Sequence, residues 1–391
     1  MTKTKNLKRL LIITGLFFAA SVLSDVFVNV YIFRLESNYE AVVTYLLSTY
    51  VVVPFIFYFS GFLGMKMDRV SIYKLGILFF ILFYLIVLLL RKNVINYLVP
   101  VGALKGIAMG FYWFGFHVLT FDYTSTNNRD SFYAHFNIIV RASAMVAPLV
   151  AGFIIARFTN LTGYYVIFLC SAVLYLAAVI LSTPLKSTPI KKIYKIKDLV
   201  FTKNKRWGRT MTAYFALAGK DAIAMFLIAI LVYRETGNEF TLGKFLLLVS
   251  VLSILTSYLM SKFSRPFNRH RYVLAGSALY FGAAFLIVYD INFITLVLYG
   301  TLAAVSDALF KIPLSAHALD IMSLDSNAEE RKMEYIVARD IPIAAGRIVT
   351  LTMFVFLLRG LGTDGIKTII LFISTLPFVI YWAMYKKQAK I

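Results

Sequence analysis

Twelve long apolar runs fill most of this chain, and no other feature constrains its fold as tightly. They lie near 10–33, 41–64, 72–90, 97–120, 134–156, 163–182, 210–233, 241–261, 272–289, 293–318, 334–358 and 365–385. A helix needs about 20 mostly apolar residues to cross a bilayer. Inside the bilayer a backbone must satisfy its own hydrogen bonds, so each run is read as a helix. With 60% of its 391 residues hydrophobic and only 15% charged, the chain has too little polar surface for a soluble globule. The eleventh run carries Arg339, Asp340 and Arg347 and is the least regular. The fold class predicted is an all-α integral membrane protein of twelve transmembrane helices. The first run is too long for a cleaved signal peptide and has no small-residue cleavage site.

Chemistry other than transport finds little support. The one cysteine, Cys170, lies mid-span, so no intrachain disulfide or metal cluster is predicted. No HExxH or Gly-x-Ser-x-Gly motif occurs. The stretch from Gly237 to Gly243-Lys244 is one residue too long for a phosphate-binding loop and is followed by Phe245. The chain reads as neither an enzyme nor an ATP-driven pump, and it calls for no cofactor.

The formal charge of +21 records topology rather than nucleic-acid binding. With both termini cytoplasmic, 26 of the 40 Lys and Arg residues fall in inner segments and 8 in outer ones. That is the positive-inside pattern, and it also attracts anionic membrane lipids to the inner face. The longest connection, 183–209, holds Lys191, Lys192, Lys195, Lys197, Lys203, Lys205, Arg206 and Arg209. It reads as a basic cytoplasmic linker between a six-helix half, 1–182, and a second, 210–391.

Sliding the chain by 200 residues aligns Arg34 with Arg234, Asn38 with Asn238, Asp68-Arg69 with Asn268-Arg269, and His117 with His317. These pairs fall at equivalent places in the two halves. Duplication of a six-helix unit, giving two pseudo-symmetric bundles, is the reading that fits.

Three local features carry a family resemblance. After the second run comes Gly61-Phe-Leu-Gly64-Met-Lys-Met-Asp68-Arg69-Val. The fifth run holds Ala147-Pro148-Leu-Val-Ala-Gly152, and the fourth holds Lys105. The chain resembles the major facilitator superfamily (MFS). Gly64, Asp68 and Arg69 match its loop signature, with Ser71 in place of a glycine. Ala147 replaces the first glycine of its Gly-Pro segment. Lys105 stands near a position where many relatives have Arg. The resemblance implies a secondary transporter of a small bacterial-type branch, expected to be monomeric, and the small outer loops and lack of a targeting extension suit a bacterial cytoplasmic membrane. Gly64, Asp68 and Arg69 are then expected to form the inner gate, and Pro148 to bend the fifth span. Gly102, Gly106 and Gly110 make a smooth stripe for close packing.

Ionisable groups at mid-membrane depth cost about 2.5–3.5 kcal/mol each on insertion scales, so each is a functional candidate. The first span has Ser21, Asp25 and Asn29 at four-residue steps. The fourth has Lys105, with Tyr112 on the same face; the fifth has Arg141. The seventh has Lys220 and Asp221, the tenth Asp307 and Lys311, and the eleventh Arg347. The resemblance implies that spans one, four, seven and ten line a central cavity, and all four carry charge. Asp307–Lys311 also reads as a structural (i, i+4) pair. Lys220 and Asp221, as neighbours, point to different faces, so at least one needs a partner from another span. Asp25 has candidate partners in Lys105 and Lys220, and is the first choice for a protonatable carboxylate because its own span interior holds no basic residue.

In the span interiors six basic groups, Lys105, Arg141, Lys220, Lys311, Arg339 and Arg347, stand against four acids, Asp25, Asp221, Asp307 and Asp340. The surplus points to an anionic solute moved by alternating access and coupled to protons. A flippase for an anionic lipid or lipid-linked precursor is the alternative within transport. A non-transporting scaffold or sensor is the alternative of another class.

Overall fold

The structure is a computed structural model that describes residues 2–124, 129–185, 199, 204–263, 268–322, 324–325 and 328–385. Among these there are twelve α-helices and no strand. The first six are α1 (Thr2–Glu36), α2 (Tyr39–Lys66), α3 (Arg69–Leu90), α4 (Leu98–Tyr123), α5 (Arg129–Arg157) and α6 (Thr162–Ser182). The second six are α7 (Lys205–Thr236), α8 (Glu239–Phe263), α9 (Arg269–Tyr289), α10 (Phe293–Met322), α11 (Ala328–Leu361) and α12 (Asp364–Tyr385). Eleven continuous stretches are long and apolar enough to cross a membrane. One of them, Arg69–Thr120, is 52 residues long and contains both α3 and α4. The twelve-span expectation therefore stands, and the protein is an integral membrane protein. Several helices outrun their apolar runs. α11 continues through Arg339, Asp340 and Arg347 with Pro342 inside it, because helical hydrogen bonding depends on the backbone while side chains carry the charges elsewhere.

The duplication is visible at the helix ends. α1 ends at Ser37 with φ 53°, and α7 ends at Gly237 with φ 59°. In both places the chain turns through the left-handed region, where glycine is at ease and serine is strained. The next residue is an Asn that caps the following helix. Asn38 Oδ1 accepts from the Glu40 N–H at 2.8 Å, and Asn238 Oδ1 accepts from the Phe240 N–H at 2.8 Å.

The chain divides into two compact units. The first holds α1–α6 together with 238–247; the second holds α7, the rest of α8, and α9–α12. This differs from a clean break in the linker, because the first turns of α8 group with the first unit. Glu239, buried there, accepts from Arg34 Nη1 at 2.7 Å and from the Tyr164 hydroxyl at 2.9 Å. Gly152 and Gly243 let α5 meet this segment backbone to backbone. Much of the proposed linker 183–209 lies outside the described residues.

Small residues set the spacing inside each unit. In the first, Gly102, Gly106 and Gly110 press α4 against Tyr45, Thr49 and Ile56 of α2. In the second, Gly219 of α7 meets Gly346 of α11. Lipid supplies no hydrophobic drive between helices, so such close backbone approach is how they gain contact.

Candidate functional site

In the first unit the charges gather where α1, α3 and α4 meet. Lys105 on α4 lies 2.9 Å from Asp25 on α1, and the Tyr84 hydroxyl of α3 donates to the same carboxylate oxygen at 3.3 Å. The ammonium also faces the rings of Tyr45 and Phe83, each at 5.6 Å. An ammonium between a carboxylate and two ring faces is held from three sides. The Lys105 side chain is 10% exposed and that of Asp25 39%. Asp25 is thus the open member of the pair.

The rest of the α1 face is spoken for. Ser21 shares a hydrogen bond with Tyr175 and Ser24 with Ser171, both at 2.6 Å and both to α6. Asn29, one turn beyond Asp25, keeps a buried Oδ1 with no hydrogen-bond partner among the described residues.

The second unit has four charges in one cluster. Lys220 of α7 reaches Asp221 at 2.7 Å and Asp307 of α10 at 2.6 Å. Lys311 reaches the same carboxylates at 3.1 and 2.7 Å. The rings of Tyr280 and Phe310 stand 4.9 and 5.2 Å from the Lys220 ammonium. Two lysines and two aspartates make a neutral set, which is how a low-dielectric interior tolerates charge. Side-chain exposure runs from 2% at Lys220, through 22% at Asp221 and 28% at Asp307, to 35% at Lys311.

The expectation that Lys220 and Asp221 point apart is corrected here. Their Cα–Cβ bonds diverge by the helical step, yet the four-carbon lysine arm brings its ammonium back to the neighbouring carboxylate. Tyr112 is also not brought to the charges. It is fully buried and stacked on Phe17 of α1, with centroids 3.4 Å apart. Two turns along α4 the face that carries Lys105 has become core.

The remaining candidates are scattered. Arg141 on α5 is half-buried and has no ion pair or hydrogen bond among the described residues. Arg347 on α11 follows Gly346, at the close contact with α7. Arg339 lies 3.9 Å from Asp340 and over the Tyr214 ring at 5.5 Å.

The loop candidates take a definite partner. Arg69 binds Asp122, at the end of α4. Asp68 precedes α3, and its carbonyl accepts from the Ser71 N–H at 3.0 Å. Gly64 is buried near the end of α2, and Pro148 is buried within α5. In the second unit Arg269 meets Asp320 at 2.6 Å, at the end of α10. Neither acid stood out in the sequence. The 200-residue offset aligns the two arginines, Arg69 and Arg269, but not the acids, which stand five and three residues after His117 and His317.

Matching Arg–Asp contacts at the ends of the fourth and tenth spans fit a duplicated transporter. Residues 7–323 match the profile of the Major Facilitator Superfamily. The chain belongs to that superfamily. This facilitator is a membrane transporter, not an enzyme. It is 36% identical over 362 residues to "Uncharacterized protein YqgE" of Bacillus subtilis, covering 92% of this chain and 84% of the relative. A Geobacillus stearothermophilus protein described as "Uncharacterized protein in sodM 3'region" is 34% identical over 179 residues, 43% of this chain and 84% of that one. Solved structures share the fold at low identity. A POT family transporter in complex with 5-aminolevulinic acid gives a TM-score of 0.73 at 11% identity, over 96% of this chain and 94% of that one. The nucleoside transporter NupG gives 0.70 at 14%, over 97% and 98%. A bacterial homologue of the iron transporter ferroportin gives 0.66 at 13%, over 97% and 99%. Those proteins handle unlike solutes, so the fold alone does not choose one for this facilitator.

Proposed function

We propose that this facilitator carries an anionic solute by alternating access, coupled to protons. The observation behind this reading is the charge balance within the spans. Each of the four carboxylates already lies against a cation: Asp25 against Lys105, Asp221 and Asp307 against Lys220 and Lys311, Asp340 against Arg339. Six cations stand against these four acids. A cationic solute would have to compete for carboxylates that are spent. An anion would meet the surplus, and buried charge is stabilised by a partner of opposite sign.

Proton coupling follows from the same neutrality. An anion that enters brings one negative charge, and a proton taken up by a carboxylate of the spans offsets it. Anion and proton then move together without leaving net charge in the membrane.

The reading includes a bacterial cytoplasmic membrane with both termini inside, in line with the 26-to-8 basic asymmetry and with relatives from Bacillus and Geobacillus. Purified protein in proteoliposomes with an imposed pH gradient tests it. Labelled succinate, lactate and phosphate should include a solute that accumulates uphill, while glucose and choline should not. Accumulation of choline or glucose alone would overturn it. Flip of an anionic fluorescent lipid without solute uptake would move the anion from solution to the bilayer.

A further inference from the structure

We propose that the two units divide the work: Asp25 of the first takes the proton, Lys311 of the second takes the anion, and Lys105 and Lys220 are touched by neither. The proposal rests on the proton-coupled anion reading above and assigns its two ligands to named atoms.

The order of exposure is reversed between the two charge sets. In the first unit the acid is outermost, Asp25 at 39% against Lys105 at 10%. In the second the base is outermost, Lys311 at 35%, with the two aspartates behind it and Lys220 at 2%. The first unit therefore offers a carboxylate and the second an ammonium.

The inner lysines are saturated. Lys105 has Asp25 and the rings of Tyr45 and Phe83. Lys220 has two carboxylates and the rings of Tyr280 and Phe310. A solute reaching either would have to displace both a carboxylate and an aromatic face. Among the described residues Lys311 is held by carboxylates alone, and its long arm lets the ammonium turn to a ligand while Asp221 and Asp307 keep Lys220. A lysine offers a point charge rather than a planar fork, so the solute group it meets is a compact carboxylate or phosphate.

The proton's place follows from the surroundings of Asp25. The titratable groups about it are Lys105 of α4, Tyr45 of α2, Tyr84 of α3 and Tyr175 of α6. Only one of its oxygens is engaged by Lys105 and Tyr84. A proton can settle on the other oxygen while the Lys105 and Tyr84 contacts to the first stay in place. Asp307 has a lysine on each oxygen, and Asp221, less exposed than Asp25, holds two ammonium groups on one oxygen, so a proton there meets two cations where at Asp25 it meets one.

Two chemical probes test this on the unmodified protein. Pyridoxal 5′-phosphate, an anionic aldehyde, forms an imine with an accessible amine, which borohydride then fixes. Dicyclohexylcarbodiimide adds to protonated carboxyls within membranes. Peptide mapping should find Lys311 modified about tenfold faster than Lys105 or Lys220, as desolvation and pairing shield the inner two. Phosphate or succinate should suppress that labelling, and glucose or choline should not. The carbodiimide should modify Asp25 ahead of Asp221 and Asp307, and faster at acidic pH. Equal labelling of all three lysines, still suppressed by phosphate, would keep the anion reading and overturn the division. Selective labelling of Lys311 suppressed only by glucose or choline would overturn the anion reading itself. Carbodiimide attack on Asp221 or Asp307 in preference to Asp25 would overturn the proton assignment.

Discussion

Lys220 on α7 holds Asp307 on α10 at 2.6 Å, and this contact is the counterpart, with charges exchanged, of Lys105 on α4 holding Asp25 on α1 at 2.9 Å. α1 and α7 are equivalent in the duplication, as are α4 and α10. Each half thus ties its first helix to its fourth by a lysine and an aspartate, and each lysine sits against two aromatic rings. The second half adds Asp221 and Lys311 to that brace.

The inner lysines should therefore matter for folding more than the outer one. Lys220→Met removes a buried cation and leaves two part-buried carboxylates with one cation, and breaking a fully buried pair costs about 3–5 kcal/mol, an upper bound here. Lys311→Met leaves the same acids with the better-enclosed cation. We expect a clear drop in thermal midpoint for the first and a smaller one for the second, with Lys220→Met/Asp307→Asn recovering part of the loss. Equal drops for Lys220→Met and Lys311→Met would contradict the layering.

The Arg34–Glu239 contact should show a different asymmetry. Arg34 is about one-third exposed and Glu239 8% exposed at the side chain. Without Glu239 the guanidinium can turn to water. Without Arg34 the buried carboxylate keeps, among the described residues, only the Tyr164 hydroxyl. Arg34→Ala is expected to lower thermal stability more than Glu239→Ala, because an unpaired buried charge costs more than a lost exposed one. The reverse order would show that the exposed partner carries the interaction.

Asp68 and Asp122 should set the speed of the cycle rather than affinity. Both lie at helix ends in the first unit, and Asp122 stands seventeen residues beyond Lys105 along α4, a rise of about 25 Å. Asp68→Asn and Asp122→Asn are expected to slow counterflow of the best anion while leaving its equilibrium binding nearly unchanged. A large loss of binding at unchanged rate would place these residues in contact with the solute instead.

Orientation has its own test. Single cysteines at Ser37 and Asn204, in a Cys170→Ser background, should react with an impermeant thiol reagent from opposite sides of the membrane. Ser37 is expected to react from outside and Asn204 from inside, as the basic asymmetry requires. Labelling of both from one side would remove the twelve-span orientation.

What the sequence made legible follows the range of each interaction. Twelve spans were readable because each crossing carries its own compositional signature. Asp307–Lys311 was readable because it lies within one helical turn. Asp25–Lys105 stayed one of two alternatives, since its partners are 80 residues apart and only helix packing chooses between them. The Lys220–Asp221 contact was missed because a face argument fixes Cβ directions, whereas the flexible lysine arm decides where the ammonium ends. Tyr112 was misplaced for a related reason. Its periodicity matched that of Lys105, but stacking on Phe17 depends on how α1 crosses α4. Asp122 was missed because an acid at a helix end looks like any other surface charge until Arg69 is placed beside it.

The central claim is tested most directly by uphill uptake in proteoliposomes under an imposed pH gradient, comparing wild type with Asp25→Asn and Lys311→Ala. Succinate, lactate and phosphate serve as anions, with glucose and choline as controls. The account predicts that wild type accumulates at least one anion and neither control. Asp25→Asn should lose pH-driven accumulation yet keep counterflow, and Lys311→Ala should lose affinity for the anion. Wild-type accumulation of glucose or choline, with Lys311→Ala unchanged and pH-driven uptake surviving in Asp25→Asn, would contradict it.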